Sequence, residues 1–337
     1  MSSPSDALAG CIVGQALGDA LGFVVEAEAP EVAEEYVSGW LLDGRAGERS
    51  HPRFPFGQYS DDTQLARELL RSFADQGGWS PVAFSTRLAE LFRDGHVVGA
   101  GPGTRAAALR LLHGVAWPDS GTPAPYAGNG SAMRAGPLGL LFPGSPEEML
   151  RATGEQSRIT HLDPRCAAGA VAVAGAVRLA VEPGAIARGE FLERLAAWVA
   201  TEDASVADAI LGLAQWGDLS PAAAAHHVHR IGLDPAHAQQ WRGISAFVTP
   251  SVVWSLYAFL RSPDDYWATV CTAIRVGGDT DTMAAIAGAV SGARLGPAAL
   301  PARLVELLND RGAWRAEELV QVARTCGRLL TASSRVL

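Results

Sequence analysis

Positive charge is scarce in this chain. Its 337 residues carry 27 Lys and Arg against 36 Asp and Glu, a formal net charge of −9. That deficit excludes a protein that grips a polyanion through a broad basic face. It leaves room for a phosphorylated small molecule, provided cations and backbone amides supply a local positive field. Cysteine is scarce too. Cys11, Cys166, Cys271 and Cys326 lie far apart with no CxxC pair, which argues against a disulfide framework or zinc–thiolate site and for a cytoplasmic setting. The apolar stretch from Ala7 to Val25 lacks a preceding basic residue, and Gln15 and Asp19 interrupt it; it reads as neither signal peptide nor membrane span. Two-residue alternation bounded by hairpin turns is missing, as are tandem repeats and low-complexity tracts, so a sheet-based fold is not expected.

What the chain has instead is helical periodicity. From Asp62 to Ala74 the apolar Leu65, Leu69, Leu70 and Phe73 fall on one face, the 3.6-residue repeat. Helices are also expected over residues 81–95, 104–114, 163–181, 190–201, 252–262 and 317–330. Asp163 followed by Pro164 has the form of an N-cap and first-turn pair. Gly10, Gly14, Gly18 and Gly22 recur every fourth residue, as do Ala284, Gly288 and Gly292. Such stripes let helix backbones approach closely, although glycine costs about 1 kcal/mol against alanine inside a helix. No composition shift marks a domain boundary. The expectation is an all-α, compact, single-domain helical bundle.

Two acidic clusters stand just before helices: Tyr59-Ser60-Asp61-Asp62-Thr63 and Gly277-Gly278-Asp279-Thr280-Asp281-Thr282. One alone is explained by capping, since Asp, Ser and Thr satisfy first-turn amides and acids complement the helix dipole. Two of the same type change the reading. If they meet, four carboxylates repel one another and call for divalent cations. Oxygen-only ligands suit magnesium, manganese or calcium rather than zinc. A third segment, Tyr126-Ala127-Gly128-Asn129-Gly130-Ser131-Ala132-Met133-Arg134, holds a Gly-Asn-Gly that can form a turn whose amides face an anion. The glycine-rich loop holding Gly101 and Gly103 is open to the same use, with Thr104 as a plain cap. Asp19, inside an apolar helix, reads as a structural partner to the site. The histidines at 226, 227 and 229 read as a surface helix end rather than a metal site.

Taken in order, these segments resemble the ADP-ribosylglycohydrolase family, which includes the dinitrogenase-reductase-activating glycohydrolases. GCIVGQALGDALGFVVE looks like the family's opening helix and loop, YSDDT its first metal motif, GNGSAMRAGPLGLLF its substrate loop and THLDPR its middle signature. VGGDTDTMAAIAGAVSGARLG is similar to the second metal motif. The likeness covers residues 8–331, leaving 1–7 and 332–337 as short termini. It implies a binuclear Mg2+ or Mn2+ centre held by Ser60, Asp61, Asp62, Asp279, Asp281 and Thr282. Gly101, Gly103, Gly128, Asn129, Gly130, Ser131, Met133 and His161 would line the substrate site. Ser60 stands where threonine is common, and Gly136 where a bulkier residue is expected. The implied reaction is hydrolysis at the anomeric carbon of the distal ribose, releasing ADP-ribose from a modified protein or another conjugate. Asp61 or Asp62 would accept the water's proton and Glu26 would assist the leaving acceptor. No membrane partner is implied, and a monomer is expected. Two other readings compete. Terpene and prenyl synthases also face acidic motifs across magnesium, but their DDxxD repeat fails at Asp62-Thr63-Gln64-Leu65-Ala66. A catalytically inactive ADP-ribose- or metal-binding protein is the other; retention of every expected ligand argues against it.

Overall fold

The structure, a computed structural model, describes residues 4–229, 231 and 241–333. Its helices in chain order begin with α1 (Pro4–Gly22), α2 (Pro30–Tyr36), α3 (Asp61–Gln76), α4 (Pro81–Arg93), α5 (Pro102–Leu112) and the short α6 (Leu138–Leu141). They continue with α7 (Pro146–Arg158), α8 (Pro164–Ala180), α9 (Arg188–Val199), α10 (Ala204–Trp216) and α11 (Pro221–Val228). Last come α12 (Val248–Arg261), α13 (Tyr266–Ile274), α14 (Thr280–Leu295), α15 (Ala302–Val305) and α16 (Ala316–Ser333). Among the described residues there is no strand, only isolated bridges such as Gly128–Phe247 and Ile244–Gly278. The all-α, single-domain expectation holds.

The centre of the bundle is a pair of helices with almost no side chains between them. Gly10 faces Gly292, Gly14 faces Gly288, Gly18 faces Ala284 and Gly22 faces Thr280, so α1 and α14 run antiparallel. A Cβ added at those four α1 glycines would stand 2.1, 2.5, 2.1 and 2.3 Å from the opposing carbonyl oxygens. The backbones themselves are in contact, and close approach, not conformational freedom, demands glycine there. This explains why α1, long and apolar enough to cross a membrane, is buried from Ala7 to Gly22.

The ladder has a positional consequence. It sets the C-terminal end of α1 beside the N-terminus of α14, so Glu26, one residue past the 3-10 turn Phe23–Val25, arrives next to Asp279 and Asp281. α3 packs against α1 with Leu65, Leu69, Leu70 and Phe73 buried, as the periodicity predicts. Asp163 caps α8 by accepting from the Arg165 amide, also as predicted. Gly136 lies in the core against Ala289 and Cys11.

Candidate active site

The first acidic cluster is held from behind by α1. The Asp19 carboxylate accepts from the amides of Ser60 (2.9 Å) and Thr63 (3.1 Å) and from the Thr63 hydroxyl (2.6 Å). It therefore satisfies donors that a helix start leaves unpaired. Ser60 caps the same turn and donates its hydroxyl to Asp62 Oδ2 at 3.0 Å. The Gln15 side-chain amide donates to the carbonyls of Asp62 (2.8 Å) and Met133 (3.1 Å), tying this turn to the GNGSAMR segment. The Asp61 amide donates to Val98 at 2.7 Å, which places the loop before α5 alongside.

The second cluster depends on two glycines. Gly277 and Gly278 have φ of 70° and 84°, a region that favours glycine, and a Cβ on Gly278 would meet the Ile244 oxygen at 2.1 Å. Through this turn the Gly278 carbonyl accepts from the Ala27 amide (2.7 Å) and the Gly278 amide donates to Glu28 (2.9 Å). Ala27 itself is left-handed, φ 62°. A strained residue thus anchors the loop that carries Glu26.

Carboxylate oxygens of Glu26, Asp279 and Asp281 lie within 4.8 Å of one another, and Asp61 and Asp62 line the same cavity. Burial pushes every one of these acids upward, with mutual repulsion adding to it at Glu26, Asp61, Asp62 and Asp281. Asp61, Asp62 and Asp281 sit well above the usual carboxylate range, Asp279 rises to about 6 and Glu26 to about 7. The buried Oδ1 atoms of Asp62 and Asp281 have no hydrogen-bond partner among the described residues. Buried, mutually repelling, partly orphaned oxygens fit hard divalent cations, which bind through oxygen. The donor set contains no imidazole or thiolate, so zinc does not fit as well.

Beside the acids lies a cavity of about 120 Å3. Gly101, Gly103, Gly128, Asn129, Gly130, Met133, His161 and Thr282 line it together with the carboxylates named above. Larger hollows occur elsewhere, 490 Å3 beside Arg67 and Trp314 and 600 Å3 beside Pro30 and Trp254. Neither contains the acidic cluster, and chemistry outranks size here. Asn129 bridges the halves of the site, donating to Asp279 and to the Ser251 hydroxyl. Its glycine neighbours are moulded to a shelf made by His161 stacked on Tyr126, ring centroids 5.9 Å apart. A Cβ on Gly103 would stand 2.4 Å from Tyr126, and one on Gly130 would stand 2.7 Å from the Thr104 hydroxyl.

Thirteen of the fifteen site residues expected from sequence line the cavity; Ser60 and Ser131 do not. Ser60 is buried with its hydroxyl on Asp62 Oδ2, while Ser131 is buried, donating to the Cys166 carbonyl and accepting from Ser157. Tyr126, Gly99 and Thr104, from segments the sequence singles out, also line the cavity, with Thr104 inside α5 rather than at its cap; Trp241 lines it too. Tyr126 had a legible signal, as the aromatic residue opening the GNG segment; Trp241 had none. His227 stacks on Trp216, and among the described residues the histidines of α11 join no metal-type cluster.

With that geometry in place, comparison with known proteins is informative. Residues 1–335 match the family model described as ADP-ribosylglycohydrolase. An uncharacterized protein of Archaeoglobus fulgidus is 30% identical over 302 residues, covering 89% of this chain and 91% of that one. The ADP-ribosyl-dinitrogen reductase glycohydrolase of Rhodospirillum rubrum is 27% identical over 317 residues, with coverages of 92% and 93%. ADP-ribosylhydrolase ARH3 of Homo sapiens is 28% identical over 319 residues, with coverages of 87% and 86%. A solved structure titled ADP-ribosylglycohydrolase-related protein complex superposes with a TM-score of 0.69 at 26% identity, covering 98% of this chain and 99% of that one.

Proposed function

This chain belongs to the ADP-ribosylglycohydrolase family, and from that premise we propose that it hydrolyses the bond between the distal ribose of ADP-ribose and an acceptor, a protein side chain or another conjugate, at a divalent metal centre. The observation that carries the reading is the convergence of Glu26, Asp61, Asp62, Asp279 and Asp281 on one small glycine-walled cavity.

Ser60, Asp61, Asp62, Asp279, Asp281 and Thr282 are the proposed holders of two Mg2+ or Mn2+ ions, and Glu26 stands within ligand distance of the second group. Bound there, such ions supply charge neutralisation, a template for sugar hydroxyls and Lewis acidity. The remaining work belongs to the chain. Asp61 or Asp62 accepts the proton of the attacking water. Glu26, on its loop at the cavity edge, stands where it can give a proton to the departing acceptor. Asn129, held by Ser251, fixes the orientation of Asp279. The glycine wall admits the ADP-ribose moiety close to the backbone.

The test is ADP-ribose release from arginine-, serine- and nucleic-acid-linked substrates with Mg2+, Mn2+ or EDTA. Metal-dependent release from one of them establishes the reaction and names the acceptor. Absence of release from all, with ADP-ribose still bound in calorimetry, makes the protein a reader on a hydrolase scaffold.

A further inference from the structure

We propose that Arg134 is a positioning residue that sets the tautomer of His161 through Thr160, so that His161 offers an Nε2–H to an acceptor oxygen of the ligand. The proposal rests on the reading of the cavity as an ADP-ribose site.

Arg134 is fully buried and makes no ion pair among the described residues. Its Nε donates to Gln156 Oε1 (2.8 Å) and its Nη1 to the Gly130 carbonyl (2.9 Å). Its Nη2 donates to the Gln156 carbonyl (2.9 Å) and to the Thr160 hydroxyl (2.8 Å). A guanidinium only donates, so the direction of the last bond is fixed. Thr160 Oγ1 accepts from Arg134 and still has one proton to place. The atom within reach is His161 Nδ1, at 2.8 Å. Were Nδ1 protonated instead, it would donate to Thr160, and the threonine proton would have no acceptor among the described residues in a dry interior. The consistent network runs Arg134 to Thr160 to His161 Nδ1, which leaves the ring proton on Nε2.

The far end of this relay opens into the cavity. His161 is 3% exposed, and its Nε2 lies 3.1 and 3.3 Å from where side chains on Gly103 and Gly128 would begin. Those glycines leave it uncovered. Nε2 has no partner among the described residues, while Tyr126 holds the ring by stacking. Burial and the Arg134 charge pull the ring down to about 3 against the opposing pull of Asp163, so it works as a neutral donor. The same guanidinium, through Gly130, steadies the substrate loop.

The test uses the full chain and long-range 15N–1H spectra, with His161 assigned by its loss in His161→Gln. The expected wild-type spectrum shows protonated Nε2 and bare Nδ1. Thr160→Val keeps shape and removes the hydroxyl; it should shift the ring toward Nδ1–H and weaken ADP-ribose binding about ten-fold, one ordinary hydrogen bond. Thr160→Ser should restore both. A role in packing alone would leave the tautomer unmoved and make serine the worse replacement. Arg134→Gln should repeat the tautomer change; if it does not fold, Thr160→Val carries the test. Protonated Nδ1 in the wild type, or unchanged tautomer and affinity in Thr160→Val, overturns the relay. A wild type with Nε2–H that fails to bind ADP-ribose supports the relay and overturns the functional reading.

Discussion

Asp19 and Thr63 are joined twice: the Asp19 carboxylate accepts from the Thr63 amide and, at 2.6 Å, from its hydroxyl. A buried acid in one helix thereby caps another and determines where Asp61 and Asp62 stand. Asp19→Asn would turn an amide NH2 toward groups that are themselves donors. The expected cost is about 2 kcal/mol of stability, with metal affinity reduced roughly 10–100-fold as for other residues that orient ligands. Denaturant melts and metal titration calorimetry read the two effects separately. Unchanged metal affinity would show that Asp19 serves α3 alone.

Gly18→Ala drives a Cβ to 2.1 Å from the Ala284 oxygen, with backbone on both sides. Nothing there is the end of a flexible side chain, so the helices must separate. A loss of about 3 kcal/mol, at the upper end for overpacking, is expected. Activity should fall more than the residual folded fraction explains, because Glu26 and Asp281 move apart. A folded variant of wild-type specific activity would show that the ladder does not set the site.

Without metal, Asp61, Asp62 and Asp281 sit well above the ordinary carboxyl range, Asp19 and Asp279 are raised to about 6 and Glu26 to about 7. The native state then binds more protons than the unfolded chain from about pH 4 upward, so stability falls as pH rises through the folded values. His161, lowered to about 3, has the opposite sign: below about pH 6.5 the unfolded chain takes a proton that the native ring refuses. Six raised carboxyls outweigh His161 and the smaller lowerings at His51 and His229. The EDTA-treated protein should melt higher at about pH 5.5 than at about pH 8, and saturating Mg2+ or Mn2+ should reverse the order, since cations bind the deprotonated carboxylates. Calorimetric melts with and without metal decide it, and a metal-free melting point that climbs with pH counts against the cluster as drawn.

Asp62→Asn and Gly130→Ala should separate chemistry from binding. The first keeps shape and removes charge; turnover is expected to fall at least about 100-fold while ADP-ribose still binds. The second places a methyl 2.7 Å from the Thr104 hydroxyl and 2.9 Å from the His161 ring, and should weaken ADP-ribose at least about ten-fold with little loss of stability. Calorimetry with ADP-ribose beside turnover assays distinguishes them.

The acidic motifs were legible because chemistry crowds into four to six consecutive residues, and the 3.6-residue repeat marked α3 because its buried face is leucine and phenylalanine. α7 was not legible for the converse reason. Three of its five buried residues are Thr153, Gln156 and Ser157, polar groups turned inward, two of them to serve Arg134 and Ser131, so no apolar stripe appears. The glycine stripes announced close packing, yet not that α1 and α14 pack on each other. Trp241 reaches the cavity from a segment with no motif, and only the assembled fold places it there.

The α1–α14 contact also bears on how the chain is made. α1 is synthesised well before α14, which covers its glycine face and ends at Leu295. At roughly 5–20 residues per second of synthesis, an apolar helix waits on the order of tens of seconds for its partner. The second acidic cluster, at 277–282, is missing for the same interval, so the first waits without the groups it meets in the finished site. Burial of α1 is therefore expected to wait for α14 and to draw on chaperones that shield apolar helices, whatever the stability of the finished bundle.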